Sequence, residues 1–340
     1  MTQPDQQIKE WHDVDEQTFH EQIVAAARPA VLRGFVKTWP AVQQALRSPE
    51  AIFSYLKSFD NGTPVNAIMT PPEVRGRVFY NAAMDGFNFA RNRLPISTIL
   101  DQLARYLDGQ NPPCLAAQSA VIADCLPGFD QHNIMPFLAA DIAPRIWIGN
   151  TITVPAHIDD SKNIACVVSG RRRFTLFPPE QIANLYIGPL EFSPAGSAIS
   201  LVNSHQPDLQ AFPNYPKALA AAQSSELLPG DAIYIPPVWW HQVESIGKLN
   251  ILVNYWWDGS VDAKGSANSP SEGLLHTLIT MKNLPLQTRA AWRAVFDHYI
   301  FSASDDQFAY IPEHRRGVLG DLTPEQTDLI KAGLAAKLKK

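Results

Sequence analysis

From about residue 114 to residue 257 the chain is a succession of short apolar and β-branched runs, each closed off by Gly, Pro, Asn or Asp. Runs this short, with turn residues at this spacing, fold as the strands of a sandwich or jelly roll rather than as a helical bundle. The runs are 145–149, 163–169, 173–177, 199–202, 231–235, 241–246 and 249–256. The 28 prolines among 340 residues point the same way. Proline interrupts helices and is confined to strand edges and loops.

The flanks read differently. Residues 1–112 mix helical signals (17–27, 41–46, 51–59 and 96–107) with a short buried strand at 29–34. They read as α/β elements packing on a barrel formed by 113–258. Residues 259–340 read as a Gly, Ser, Asn and Pro linker to residue 272, then helices at 274–281 and 288–301 and a last helix opened by Thr323 and Pro324. That last helix carries Leu329, Ile330, Leu334 and Leu338 as an apolar stripe. The stripe is expected to pack on its own domain, with a homodimer through the C-terminal helices as the second option.

Composition narrows the function classes. Apolar residues at 46% and charged residues at 18% are enough for a large core and too apolar for disorder. A net charge of −5 with no basic stripe argues against nucleic acid or an acidic membrane as partner. No apolar run reaches the roughly 18–20 residues of a membrane helix, and the first residues lack a secretion signal. Cys114, Cys125 and Cys166 are odd in number and form no CxxC, so no disulfide framework or zinc knuckle is indicated. The expectation is a soluble, cytoplasmic protein.

Two histidines have chemical context. His157 and Asp159 form a His-x-Asp pair, and side chains two apart on an extended segment point the same way. His241 follows 84 residues later, after a Pro229-Gly230-Asp231 turn, an apolar strand and the Trp239-Trp240 pair. A neighbouring strand could bring it to the same point. Two neutral imidazoles and one carboxylate on one octahedral face are the ligand set of non-haem iron(II) oxygenases, with open positions for cosubstrate and O₂.

With these motifs the sequence resembles the JmjC and cupin-like family of Fe(II)- and 2-oxoglutarate-dependent oxygenases, and within it the subgroup of the hypoxia-inducible-factor asparaginyl hydroxylase. The resemblance covers about 145–257, including the run from Ser169 to Pro179, and more faintly 29–40. It implies a double-stranded β-helix with Fe(II) held by His157, Asp159 and His241 at the barrel mouth. It implies 2-oxoglutarate and O₂ as cosubstrates, with Asn163 and Asn254 near the oxo-acid. Arg172 stands where the hydroxylase has a lysine for the far carboxylate, and its planar fork suits that task. The resulting activity would be hydroxylation of a protein side chain or small molecule, with succinate and CO₂ as coproducts.

Three positions depart from the family pattern. Val154 replaces a threonine three residues before the first His, with Thr153 one position earlier. Leu115 aligns with a cosubstrate-binding tyrosine, and Gln118 nearby lines the approach to the iron. The segment from Ser193 to Ser197 replaces an Arg-Gln pair that grips the target asparagine, so that substrate is not carried over. The lost hydroxyls motivate two alternatives. One is a non-catalytic metal-binding cupin that binds a small ligand or partner. The other is a cupin reaction without an oxo-acid, although such cupins mostly use three histidines and a glutamate. A purely structural sandwich gives no reason for the three ligand-type residues to co-occur.

Overall fold

The computed structural model describes residues 6–258, 270–302 and 307–338. Its strands are β1 (Gln6–Gln7), β2 (Lys9–His12), β3 (Ala30–Arg33), β4 (Val65–Thr70), β5 (Ala90–Leu94), β6 (Cys114–Val121), β7 (Arg145–Gly149), β8 (Thr153–His157), β9 (Lys162–Phe177), β10 (Gln223–Leu227), β11 (Ala232–Ile235) and β12 (Trp240–Trp257).

These strands form two leaves that share β9 and β12. One leaf runs β2-β3-β11-β9-β12-β7-β6-β4-β5 through the N-terminal part of β9 and the C-terminal part of β12. The other runs β1-β10-β9-β12-β8 through the remaining halves. This is the jelly roll expected from the run spacing, with helices on its flank. Contact density divides the chain into residues 1–272 and 273–340.

The expected strands at 163–169 and 173–177 are one strand, and so are those at 241–246 and 249–256. Glycine is the reason. Gly170 and Gly247 sit at φ 77° and 104°, so each strand bends into the second leaf without ending. At Gly170 the neighbouring backbone is also close: a Cβ would lie 2.3 Å from the Leu249 carbonyl oxygen and 2.3 Å from Asn250 Oδ1. The expected strand at 199–202 is absent, and Ser200 forms only an isolated bridge to Ile187.

Helices Pro40–Arg47, Pro49–Lys57 and Ile96–Tyr106 press their apolar faces on the first leaf. The largest core holds Val42, Ile52, Leu56, Ile99 and Leu103 against Leu115, Ile146, Ile148 and Ile251. The expected helix at 17–27 is a shorter helical turn at Thr18–Val24. A second core, with Val31, Val167, Phe174, Leu176, Ile233 and Leu252, lies between the leaves. The turn that launches β11 is fixed by Asp231. Its carboxylate accepts from the Gly34 and Leu228 amides and from Arg33 at 2.6 Å.

In the second unit the helices are Pro270–Met281, Leu286–Phe296 and Pro324–Leu338, and none carries a buried residue. The stripe expected to pack on its own domain is exposed, with Leu329 at 75% and Leu334 at 49%. Most of the expected linker, 259–269, lies outside the described residues.

Replacing Gly170 by Ala adds strain at positive φ and a clash with the β12 backbone. It should destabilise the protein by about 3 kcal/mol, read as a lower urea midpoint at unchanged slope.

Candidate metal centre and its cavity

β8 ends at His157 and β12 begins beside it, and the two strands pair antiparallel with His241 directly opposite His157. The imidazole centroids are 4.2 Å apart. Asp159 lies two residues beyond the end of β8, and its carbonyl accepts from the Val238 amide at 2.8 Å. Val238 holds φ 65°, an unusual conformation for a β-branched residue. The ligand-type atoms of His157, Asp159 and His241 all fall within 4.8 Å of one another.

The backbone sets the tautomer of both rings. His157 Nδ1 lies 2.9 Å from the Pro155 carbonyl and His241 Nδ1 lies 3.0 Å from the Trp239 carbonyl. A carbonyl only accepts, so each Nδ1 carries the proton and each Nε2 offers a lone pair. Burial, then the neighbouring His241, push the His157 pKa down to about 4, which keeps that ring neutral near neutral pH. Two neutral imidazoles and a carboxylate form a net −1 donor set, which fits a divalent ion.

Asp159 is oriented by two further donors. Its Oδ2 accepts from Asn163 Nδ2 at 3.1 Å and from Trp256 Nε1 at 3.0 Å. Asn163 Oδ1 in turn accepts from Asn254, and Asn254 Oδ1 accepts from Trp147 Nε1 at 2.8 Å. Asn163 and Asn254 thus line the cavity, with their amides committed to a chain that steadies the carboxylate. The two Trp donors, Trp147 and Trp256, were not apparent from the sequence.

The cavity encloses about 720 Å³ including its open mouth, and Ala165, Phe174, Ile235 and Leu252 of the inter-leaf core form its floor. Arg172 lines it from β9. The alternation of a strand separates the three arginines. Arg171 and Arg173 pair outside with Glu226, at 2.8 and 3.4 Å. Arg172 is only 7% exposed, has no hydrogen-bond or ion-pair partner among the described residues, and leaves Nε buried and unsatisfied. Burial pushes its pKa down to about 10, so it still carries its charge near neutrality.

The departures resolve unequally. Val154 lines the cavity, so no hydroxyl stands there, and Thr153 does not line it. Leu115 is buried in the large core, 1% exposed, away from the cavity. On β6 it is Ala116, Ala117 and Gln118, not Leu115, that reach this region. Ala195 lines the mouth, within the small-residue segment. Val78, 2% exposed, lines the cavity from another loop. The two loops are tied by the Tyr80 hydroxyl donating to the Phe192 carbonyl at 2.7 Å and by Phe87 stacking on Phe192.

Comparison with known proteins places residues 16–263 in a match to the model of the cupin-like domain family. HSPB1-associated protein 1 of Homo sapiens is 35% identical over 149 residues, 43% of this chain and 30% of that protein. The chain therefore spans under a third of that relative's length. The bifunctional peptidase and (3S)-lysyl hydroxylase JMJD7 of Homo sapiens is 26% identical over 283 residues, 73% of this chain and 83% of that protein. Lysine-specific demethylase 8 of Danio rerio is 25% identical over 264 residues, 75% and 59% respectively.

Titration with Mn(II) should show one tight site that His157→Ala abolishes. Trp256→Phe, which removes a donor to Asp159, should weaken that site about 10-fold.

Proposed function

The chain belongs to the cupin-like, JmjC-type family, and from that membership we propose that it is an Fe(II)- and 2-oxoglutarate-dependent oxygenase acting as a hydroxylase. The observation that carries the reading is the buried, unpartnered Arg172 guanidinium in the cavity that the His157, Asp159 and His241 donors line. A buried charge without a partner is costly, and an anionic ligand in the cavity removes that cost.

In this reading His157, Asp159 and His241 hold the iron through two Nε2 atoms and a carboxylate. When bound, the iron with 2-oxoglutarate and O₂ supplies oxidative decarboxylation to succinate and CO₂ and insertion of one oxygen atom into a substrate C–H bond. Arg172 binds the far carboxylate of the oxo-acid. Asn163 and Asn254 flank the oxo-acid and keep Asp159 in place, while Trp147, Phe174 and Leu252 keep the chamber dry. With a divalent ion the donor set carries a net +1, which favours a dianionic cosubstrate.

In this reading the primary substrate enters past Ala195. The names of the relatives, a lysyl hydroxylase and a lysine-specific demethylase, favour a protein side chain over a small molecule, and nothing in the charge pattern favours nucleic acid. A cytoplasmic setting belongs to the same proposal and is supported by three buried, unpaired cysteines. Among the described residues no helix is long and apolar enough to cross a membrane. The second reading, a metal-holding cupin without oxygen chemistry, is favoured by one observation, the apolar Val154 at the cosubstrate end.

Incubation with iron, ascorbate and 2-oxoglutarate against peptide and metabolite pools should give succinate, O₂ uptake and a product heavier by one oxygen. Metal binding without succinate formation would select the second reading. Arg172→Gln should raise the 2-oxoglutarate requirement at least about 10-fold, measured as an apparent KM.

The exposed apolar residues of the last helices support the homodimer, because apolar patches of that extent mark association sites. Light scattering after gel filtration should give a dimer for the native chain. It should give a monomer for the Ile330→Glu, Leu334→Glu double variant.

A further inference from the structure

Beside Arg172 lies a second, smaller space lined by Ala116, Gly149, Asn150, Ile152 and Ser245 among others. Five residues line both spaces and so form the neck between them: Gln118, Trp147, Val154, Arg172 and Val243. Val154 and Val243 are apolar, and the Trp147 N–H is committed to Asn254. That leaves the Arg172 guanidinium and the Gln118 amide as the polar groups at the neck without a partner among the described residues. Asp159, at the far end of the outer cavity, is the one acid among the described residues lining either space. The neck is a cation and an amide set in an apolar ring.

The backbone aims Gln118 there by a specific device. β6 and β7 pair regularly up to Ala117 opposite Ile148, then resume at Ala120 opposite Ile146. The extra residue makes a bulge, and bulges re-aim side chains beside functional sites. Ser119 within it holds φ 46°. Arg145 pins the bulge by donating to the Ser119 carbonyl at 3.2 Å. Strain of this kind persists only where the surroundings hold it. Gln118 is half-buried and makes no side-chain hydrogen bond among the described residues, so its amide is free to meet a ligand held beside Arg172.

We propose that Gln118 is a second recognition residue for the far carboxylate of the oxo-acid, its amide N–H donating beside Arg172. It does there what a hydroxyl at position 154 would otherwise do. The inference rests on the oxygenase reading and deepens it. It makes the preference for a dicarboxylic oxo-acid a joint property of β6 and β9.

The test is calorimetric binding to Mn(II)-loaded protein without oxygen, comparing 2-oxoglutarate with pyruvate. Pyruvate shares the chelating end and lacks the far carboxylate. The native protein should prefer 2-oxoglutarate. Gln118→Leu should weaken 2-oxoglutarate about 10-fold and leave pyruvate unchanged. Gln118→Glu keeps the shape of the side chain, pairs its carboxylate with Arg172 and should lose more 2-oxoglutarate affinity than the Leu variant, with pyruvate retained. Mn(II) affinity and melting temperature confirm that the variants fold. Unchanged 2-oxoglutarate affinity in Gln118→Leu, or equal weakening of both acids, overturns the assignment and leaves the oxygenase reading standing. Native protein that fails to bind 2-oxoglutarate overturns both.

Discussion

The antiparallel ladder between β9 and β12 is the constraint on which the site depends. Its register places Leu176 against His241, Arg172 against Ser245, Ala165 against Asn254 and Asn163 against Trp256. One set of backbone hydrogen bonds therefore positions a ligand-type imidazole, the buried guanidinium, both asparagines and a tryptophan donor. Because each strand bends at a glycine and serves both leaves, these groups surround an enclosed space instead of spreading along a flat sheet. A slip of one residue in this ladder would turn every one of them to the wrong side.

Electrostatics divides that space. The His157, Asp159 and His241 end offers lone pairs and one negative charge. The Arg172 end offers a positive charge in an apolar ring. A ligand that fits both must bind a metal at one end and present an anion at the other. The orienting groups around Asp159 work outside this division. Trp256, Asn163, Asn254 and Trp147 hold the carboxylate without adding charge, so the field along the cavity is set by four ionisable or metal-binding residues alone.

Much of this was legible in the sequence. The jelly roll followed from run length and punctuation, and the donor triad from residue type, with the motif around Trp239-Trp240-His241 giving it weight. What was hidden depended on register. The arginine triplet could not be divided until β9 showed Arg171 and Arg173 reaching Glu226 on one side and Arg172 reaching inward on the other. Leu115 was matched to a cosubstrate-binding tyrosine, whereas its side chain packs in the large core. Strands β1, β2, β4, β5, β6, β8 and β10 were not marked. β6 is rich in alanine, β5 reads Ala-Arg-Asn-Arg-Leu, and β10 is polar, so none carries a β-branched run. Glycine was read as an end of a strand at 170, where the structure uses it as a bend.

The rim and the interior of the cavity are built from different material. The neck draws one residue from each of β6, β7, β8 and β9 and one from β12, so its shape is held by hydrogen bonds running through the whole barrel. Val78 and Ala195 belong to loops that are clasped to each other by aromatic stacking and a single tyrosine hydroxyl. Each loop is anchored on β8, through the Val78 amide on the Thr153 carbonyl at 3.0 Å and the Ser200 amide on the Ala156 carbonyl at 2.8 Å, and away from those anchors it carries none of the barrel ladders. A lineage built on this architecture can alter what its surface loops admit while the interior of the cavity keeps its shape and charge.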